Sequence, residues 1–105
     1  MAQIKIMSRY MKPFPKAPIP GTESIQPIQS YRQLVAEGRR QQHCVLSYHT
    51  RIMSGNYAVY RMLEPERATI GSYGCYILDQ VKLHRNRTPS AETRELIRQW
   101  LMKEA

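Results

Sequence analysis

The stretch that decides the fold is residues 57–83, YAVYRMLEPERATIGSYGCYILDQVKL. β-Branched and aromatic residues, which favour strands, are frequent in it and divide it into three runs. The runs are 57–63, 67–73 and 75–83. Glu64-Pro65-Glu66 and Gly74 separate them, since proline and glycine favour turns. Because connections this short join strands that run in opposite directions, the sequence predicts a three-stranded antiparallel sheet.

Two helices are predicted before these strands. Ser30 is a favourable N-cap with Gln33 at the capping-box position, and Gly38 provides a stop for the first helix. The second helix is predicted over residues 41–53, where apolar residues recur at helical spacing. This apolar stripe consists of Cys44, Val45, Tyr48 and Ile52. Arg39 and Arg40 would then lie in the join between the two helices.

A last helix is predicted after Thr88-Pro89-Ser90, because a hydroxyl cap and a proline near the first turn favour a helix start. Its apolar stripe consists of Thr93, Leu96, Ile97, Trp100 and Leu101. The order of helix, helix, three strands and helix predicts an α+β domain over residues 30–105.

Residues 1–29 form a different kind of segment, a basic proline-rich arm. Its five prolines are Pro13, Pro15, Pro18, Pro20 and Pro27, and its cations are Lys5, Arg9, Lys12 and Lys16. Closely spaced prolines oppose a helix and favour extended chain. The arm either lies across the domain or stays mobile until it meets a partner. Ile4 and Ile6 could alternatively begin a short edge strand.

The charge of the chain indicates an acidic partner. It has 16 Lys and Arg against 8 Asp and Glu, a formal net charge of +8. Basic surfaces bind nucleic acid because phosphate counterions are released. We therefore expect nucleic acid or an acidic protein surface as the partner, and the alternative is a merely basic surface. The sequence does not predict an oligomeric state.

The location expected from the sequence is the cytoplasm. No run approaches the roughly 18 apolar residues of a membrane span, and the first residues do not resemble a secretory signal. The two cysteines, Cys44 and Cys75, are too few for a disulfide scaffold and would stay as thiols in a reducing compartment.

His43 and Cys44 are the residues most suggestive of chemistry. Adjacent residues on a helix point about 100° apart, so they would not pair directly. A nucleophilic Cys44 would need another base, such as His84 or His49. The alternative, which the apolar stripe favours, is that Cys44 is a small buried hydrophobic residue. The histidines and cysteines lack zinc-ligand spacing, and no cofactor motif is present, so we expect neither metal nor cofactor.

Two further groups of residues have a functional and a structural interpretation. The turn His84-Arg85-Asn86-Arg87 could bind phosphate through its arginines, or it could be a solvated loop. Tyrosines on the strands could form a base-stacking platform, or they could pack against the helices. These tyrosines are Tyr57, Tyr60, Tyr73 and Tyr76.

Across residues 25–101, many short matches in order resemble the PcfJ-like domain. They are Glu37-Gly38, His43-Cys44-Val45, Ser47-Tyr48, Ser54-Gly55, Tyr60-Arg61, Arg67-Ala68-Thr69-Ile70, Asp79-Gln80-Val81, Asn86 and Ile97-Arg98-Gln99-Trp100. Two positions differ from the family pattern. Gly71 stands where an acidic residue is usual, and His84-Arg85 precede Asn86 where a glycine is usual.

The resemblance implies an accessory protein of a mobile genetic element, a plasmid or a phage, and it implies no established catalytic site. A functional centre of the family would match His43, Cys44, Tyr48, Arg61, Gln80 and Asn86.

The sequence supports three hypotheses about function. The first is an accessory protein that binds nucleic acid or a nucleoprotein complex. Its phosphate contacts would come from Lys5, Arg9, Lys12, Lys16, Arg39, Arg40, Arg85 and Arg87. The second is a protein-binding modulator or inhibitor of a host complex. The third is an enzyme with a site centred on His43 and Cys44.

Overall fold

The computed structural model describes residues 12–44, 46–74 and 77–103. Within them lie four strands and three helices in an α+β arrangement, which confirms the predicted class. The strands are β1 (Ile25–Pro27), β2 (Tyr57–Met62), β3 (Ala68–Tyr73) and β4 (Ile77–Lys82). The helices are α1 (Tyr31–Gln41), α2 (His49–Met53) and α3 (Ala91–Lys103), with short 3-10 turns at Leu46–Tyr48 and His84–Asn86.

The sheet has the order β1-β2-β3-β4, and every neighbouring pair is antiparallel. Gly71 of β3 pairs with Gln80 of β4, and the next pair is Ser72 with Leu78. Asp79 is therefore an extra residue at a β-bulge, a feature that redirects a side chain locally.

The predicted three-stranded sheet lacks β1, which lies in the proline-rich segment. Ile25 pairs with Met62, and Pro27 pairs with Tyr60 at the outer edge of the sheet. Proline is tolerated there because an edge strand need not donate every backbone hydrogen bond. The described part of the arm lies against the domain, with Phe14 and Ile19 buried. The possible strand at Ile4 and Ile6 lies outside the described residues.

Helix α1 begins as predicted but ends later. The Ser30 side chain accepts a hydrogen bond from the Gln33 backbone N–H at 3.2 Å. Gly38 does not stop the helix, which continues to Gln41 and ends where Gln42 adopts a left-handed conformation with φ 51°. Arg39 and Arg40 consequently lie in the last turn of α1 rather than in a join between helices.

The predicted second helix over 41–53 is wrong in its first half. The left-handed Gln42 redirects the chain, so that a 3-10 turn at Leu46–Tyr48 and the short helix α2 replace it. Cys44 lies outside both elements and is exposed, and the interpretation of Cys44 as a buried hydrophobic residue is therefore wrong.

Side chains on the two faces of the sheet form two apolar clusters. On one face, α3 packs through Ile97, Trp100 and Leu101 against Tyr60 and Ile70. Leu96, which the predicted stripe includes, is exposed.

On the opposite face, the apolar cluster consists of Phe14, Ile28, Leu34, Ile52, Tyr57 and Val59. It brings α1 and α2 onto β2.

No helix among the described residues is long and apolar enough to cross a membrane.

Candidate functional site

Polar side chains gather on the α1–α2 side of β3 and β4. Thr69 and Gly71 alternate along β3 on this side, and Gly71 pairs with Gln80 of β4. His43 and Asp79 reach the same side through hydrogen bonds to Thr69 and Tyr57. We call His43, Thr69, Gly71, Asp79 and Gln80 the polar face.

At one end of the polar face, a buried carboxylate accepts hydrogen bonds from two side chains. Glu37 of α1 is only 3% exposed. Arg67 donates to it through both terminal nitrogens, with Nη1 at 2.9 Å from Oε2. The Thr69 hydroxyl donates to the same carboxylate. A buried charge requires such a partner and such hydrogen bonds, so this network fixes α1 on β3.

The network continues from Thr69 to His43. Nε2 of His43 lies 3.2 Å from the Thr69 hydroxyl oxygen. Since that hydroxyl gives its only hydrogen to Glu37, it accepts the Nε2–H of His43. Burial lowers the pKa of His43; the Glu37 carboxylate opposes this effect, and the charges of His84 and Lys82 add to it. His43 is therefore a neutral imidazole at neutral pH, oriented by Thr69.

Tyr57 lies over the centre of the polar face. Its hydroxyl donates to Asp79 at 2.7 Å, and burial together with this bond raises the pKa of Tyr57. A Cβ atom at residue 71 would stand 2.0 Å from the Tyr57 hydroxyl oxygen, so only glycine fits there. The space that a side chain at residue 71 would need is filled by Tyr57.

An aromatic group lies at the other end of the polar face. Tyr48 stacks on Tyr57 with ring centroids 4.8 Å apart, and Tyr73 meets Tyr57 edge-on at 5.0 Å. The guanidinium of Arg51 lies within 6 Å of all three ring centroids and donates to the Tyr73 hydroxyl at 2.8 Å. We call Tyr48, Arg51, Tyr57 and Tyr73 the aromatic group.

The predicted tyrosine platform is only partly assembled. Tyr57 and Tyr60 are buried on opposite faces of the sheet, as expected from their odd spacing along β2. Tyr73 is 37% exposed, and Tyr76 lies outside the described residues. Among the strand tyrosines that the structure describes, Tyr73 is thus the one that offers a ring to solvent.

A basic surface borders the polar face where α1 ends. The His84 ring nitrogen Nδ1 lies 3.1 Å from the Arg40 carbonyl oxygen. Arg85 donates through Nε to the Gln42 side chain at 2.9 Å. Two basic segments far apart in sequence are thereby joined. We call Arg39, Arg40, His84, Arg85 and Arg87 the basic junction.

An open groove of about 510 Å³ follows the end of α1. Its lining is Val35, Gly38, Arg39, Gln42, His43 and Cys44. The described residues include no hydrogen-bond partner for the Cys44 thiol, and no group of three or more metal-binding side chains occurs among them. The lining of the groove thus includes a cation, an imidazole and an exposed thiol.

The residues of the predicted family centre fall in three places. His43, Cys44, Tyr48 and Gln80 lie at or beside the polar face. Asn86 lies in the 3-10 turn of the basic junction. Arg61 is not part of this region: both its Nε and its Nη2 donate to Gln26 on the β1 side of the sheet, at 3.0 and 2.8 Å.

The eight predicted phosphate-binding cations separate in a similar way. Four of them belong to the basic junction: Arg39, Arg40, Arg85 and Arg87. Lys12 and Lys16 are exposed on the arm, and Lys5 and Arg9 lie outside the described residues.

Sequence reasoning missed Glu37, Thr69, Asp79 and Arg51. A signal for Glu37 was present: Leu34, Glu37 and Gln41 follow helical spacing, and all three are buried. An acid at a core-facing position of a helix indicates a buried partner. Asp79 carried no comparable signal, because a β-bulge determines its direction.

The comparison with protein families decides what this arrangement belongs to. A family model described as PcfJ-like protein matches residues 17–98. The chain belongs to this family. The match includes the polar face, the aromatic group and the basic junction of this PcfJ-like protein, and it begins within the proline-rich segment. No curated protein and no solved structure matches the chain.

Proposed function

We propose that this PcfJ-like protein is a small accessory protein of a plasmid or phage that binds nucleic acid, alone or within a nucleoprotein complex, through the basic junction. The observation that carries the proposal is the contact between the end of α1 and the 3-10 turn. It makes one surface of Arg39, Arg40, His84, Arg85 and Arg87. The mobile-element setting rests on the family resemblance.

Four features support phosphate as the group recognised. The arginines of the basic junction are exposed, so that they can reach an incoming anion without first breaking a buried ion pair. Arginine presents a planar set of donors that suits phosphate oxygens. Lys82, which ends β4 and is separated from the turn by Leu83 alone, adds another positive charge. The formal net charge of +8 attracts a polyanion from a distance.

The proposal is tested by the salt dependence of oligonucleotide binding in two charge-matched double variants. Arg39→Gln with Arg40→Gln removes two cations from the basic junction. Arg32→Gln with Lys103→Gln removes two exposed cations elsewhere. Fluorescence anisotropy should give a log–log salt slope smaller by about 1.4–1.8 for the first variant, and an unchanged slope for the second.

Arg85→Gln with Arg87→Gln should reproduce the effect of the first variant, because both pairs belong to one surface. Equal loss in the Arg32 and Lys103 control would show that total charge, not this surface, governs binding. Absence of binding by the wild-type chain to DNA and RNA at low salt would refute the proposal.

A further inference from the structure

We propose that the nucleic acid bound is single-stranded, with its phosphates at the basic junction and its unpaired bases along β4 towards Tyr73. This inference rests on the proposed function and names its ligand class. The observation behind it is the order of side chains along β4. Ile77, at one end, pairs with the exposed Tyr73, and Lys82, at the other end, precedes the basic junction.

The aromatic and apolar end of β4 suits bases rather than phosphates. Tyr73 is 37% and Ile77 63% exposed, and they are paired neighbours on adjacent strands. Arg51 holds the Tyr73 hydroxyl at 2.8 Å, so that the ring is fixed before a ligand arrives. Stacking on a positioned aromatic ring is how single strands are bound without strong sequence preference.

The middle of β4 separates the two kinds of contact. The Asp79 carboxylate would repel a phosphate, and it is already held by the Tyr57 hydroxyl. Gln80 is half-buried beside it and carries an amide, which can hydrogen-bond base edges. A strand whose first phosphates lie at the arginines, and whose bases rather than later phosphates face Asp79 and Gln80, satisfies both conditions.

A duplex does not fit this order of groups. Its bases are stacked on each other, so that Tyr73 could not stack on them. Readers of duplex DNA generally insert a helix or a two-stranded ribbon into the major groove. Here α1 packs on the sheet through Leu34, Glu37 and Gln41, and its last turn is attached to the 3-10 turn. The five residue steps from Ile77 to Lys82 span roughly 17 Å, enough for a short run of nucleotides.

The test compares single strands of DNA and RNA of about twelve nucleotides with the matching DNA duplex, by fluorescence anisotropy at about 50 and 200 mM salt. Single strands should bind more tightly than the duplex at both salt concentrations. Tyr73→Leu should weaken single-strand binding by about tenfold, because a stacking surface is lost. Tyr73→Phe keeps the ring but loses the hydroxyl that Arg51 holds, so it should retain most of the affinity that Tyr73→Leu loses.

A second measurement needs no substitution, which matters if Tyr73→Leu fails to fold. A single strand carrying 5-iodouracil should, on irradiation, crosslink to Tyr73 of the wild-type chain, as located by mass spectrometry of peptides.

Failure of the single-strand inference can be distinguished from failure of the proposed function. Equal affinity for duplex and single strand, with Tyr73→Leu unchanged and no crosslink at Tyr73, would overturn the single-strand inference and leave the proposed function standing. No binding of any of these oligonucleotides at about 50 mM salt would overturn both.

Discussion

The two faces of the sheet differ in the chemistry of the side chains that they bury. On the α3 face, Tyr60 and Trp100 meet edge-on among aliphatic residues, and the Tyr60 hydroxyl is satisfied by the backbone of Ile19. On the α1–α2 face, the buried Glu37 carboxylate pairs with the partly buried Arg67 beside Thr69 and His43. One face is a closed apolar core, while the other contains ionisable groups near its open β4 side.

The difference separates what holds the fold from what faces a ligand. Burying apolar surface stabilises by about 25 cal/mol per Å², so the α3 face needs no charges to be stable. A buried ion pair is often no more stabilising than apolar residues of the same volume. Stability alone therefore does not explain the Glu37–Arg67 pair. Its further effect is to position Thr69, which orients His43 beside the basic junction.

The largest expected difference in stability between the two faces comes from breaking the Glu37–Arg67 ion pair. Arg67→Met leaves the Glu37 carboxylate buried without its cation, which should lower the free energy of unfolding by about 3–5 kcal/mol. Urea unfolding followed by circular dichroism measures it.

The matched control removes both charges. Glu37→Gln combined with Arg67→Met keeps an acceptor for the Thr69 hydroxyl and should recover much of the loss. If the single and double variants were equally unstable, the charge of Glu37 would not be the cause.

A smaller loss in the free energy of unfolding is expected from Tyr60→Phe on the α3 face. The Tyr60 hydroxyl accepts from the Ile19 N–H at 3.2 Å and donates to the Ile19 carbonyl at 2.9 Å. Removing it leaves two buried backbone groups unpaired, at a cost of about 1–3 kcal/mol. Oligonucleotide affinity of the folded variant should be unchanged, and weaker binding would contradict the separation of the two faces.

The strands and helix ends that could be predicted from the sequence are those specified by local chemistry. β-Rich runs produced β2, β3 and β4, and Ser30 and Ser90 cap helices as predicted. Two features could not be predicted from local chemistry. β1 forms because Ile25 pairs with Met62, and its one proline, Pro27, locally favours extended chain without specifying a pairing. The split of the second helix follows from the left-handed Gln42, which no local signal marked.

The candidate site was predictable as separate pieces but not as an assembly. The arginines at the end of α1 and in the turn were identified from charge alone. Their union depends on His84 reaching the Arg40 carbonyl, a contact between residues 44 positions apart. Burial of Cys44 was inferred from a helical period that the chain does not keep. Hydrophobic periodicity predicts which residues are buried only where the chain stays helical, and here α1 ends before Cys44.

The smallest expected effect is a pH dependence carried by His43. Burial is the main cause that lowers its pKa from 6.5, and the positive charges of His84 and Lys82 act in the same direction against the Glu37 carboxylate. The unfolded chain then binds a proton at a higher pH than the folded chain does. The free energy of unfolding should therefore fall as pH decreases below about 6.5, until the lower folded pKa is passed.

His43→Gln isolates this contribution, because glutamine can still donate to Thr69 but does not titrate. Urea unfolding of both chains between about pH 5 and 8 should show a weaker pH dependence in the variant. An identical dependence would mean that His43 titrates alike in both states. Because the Glu37 carboxylate opposes the lowering of the His43 pKa, the Arg67→Met variant, which removes the cation paired with that carboxylate, should also alter this dependence. The two measurements together then decide whether the buried pair and the imidazole form one unit, as the Thr69 hydrogen bonds indicate.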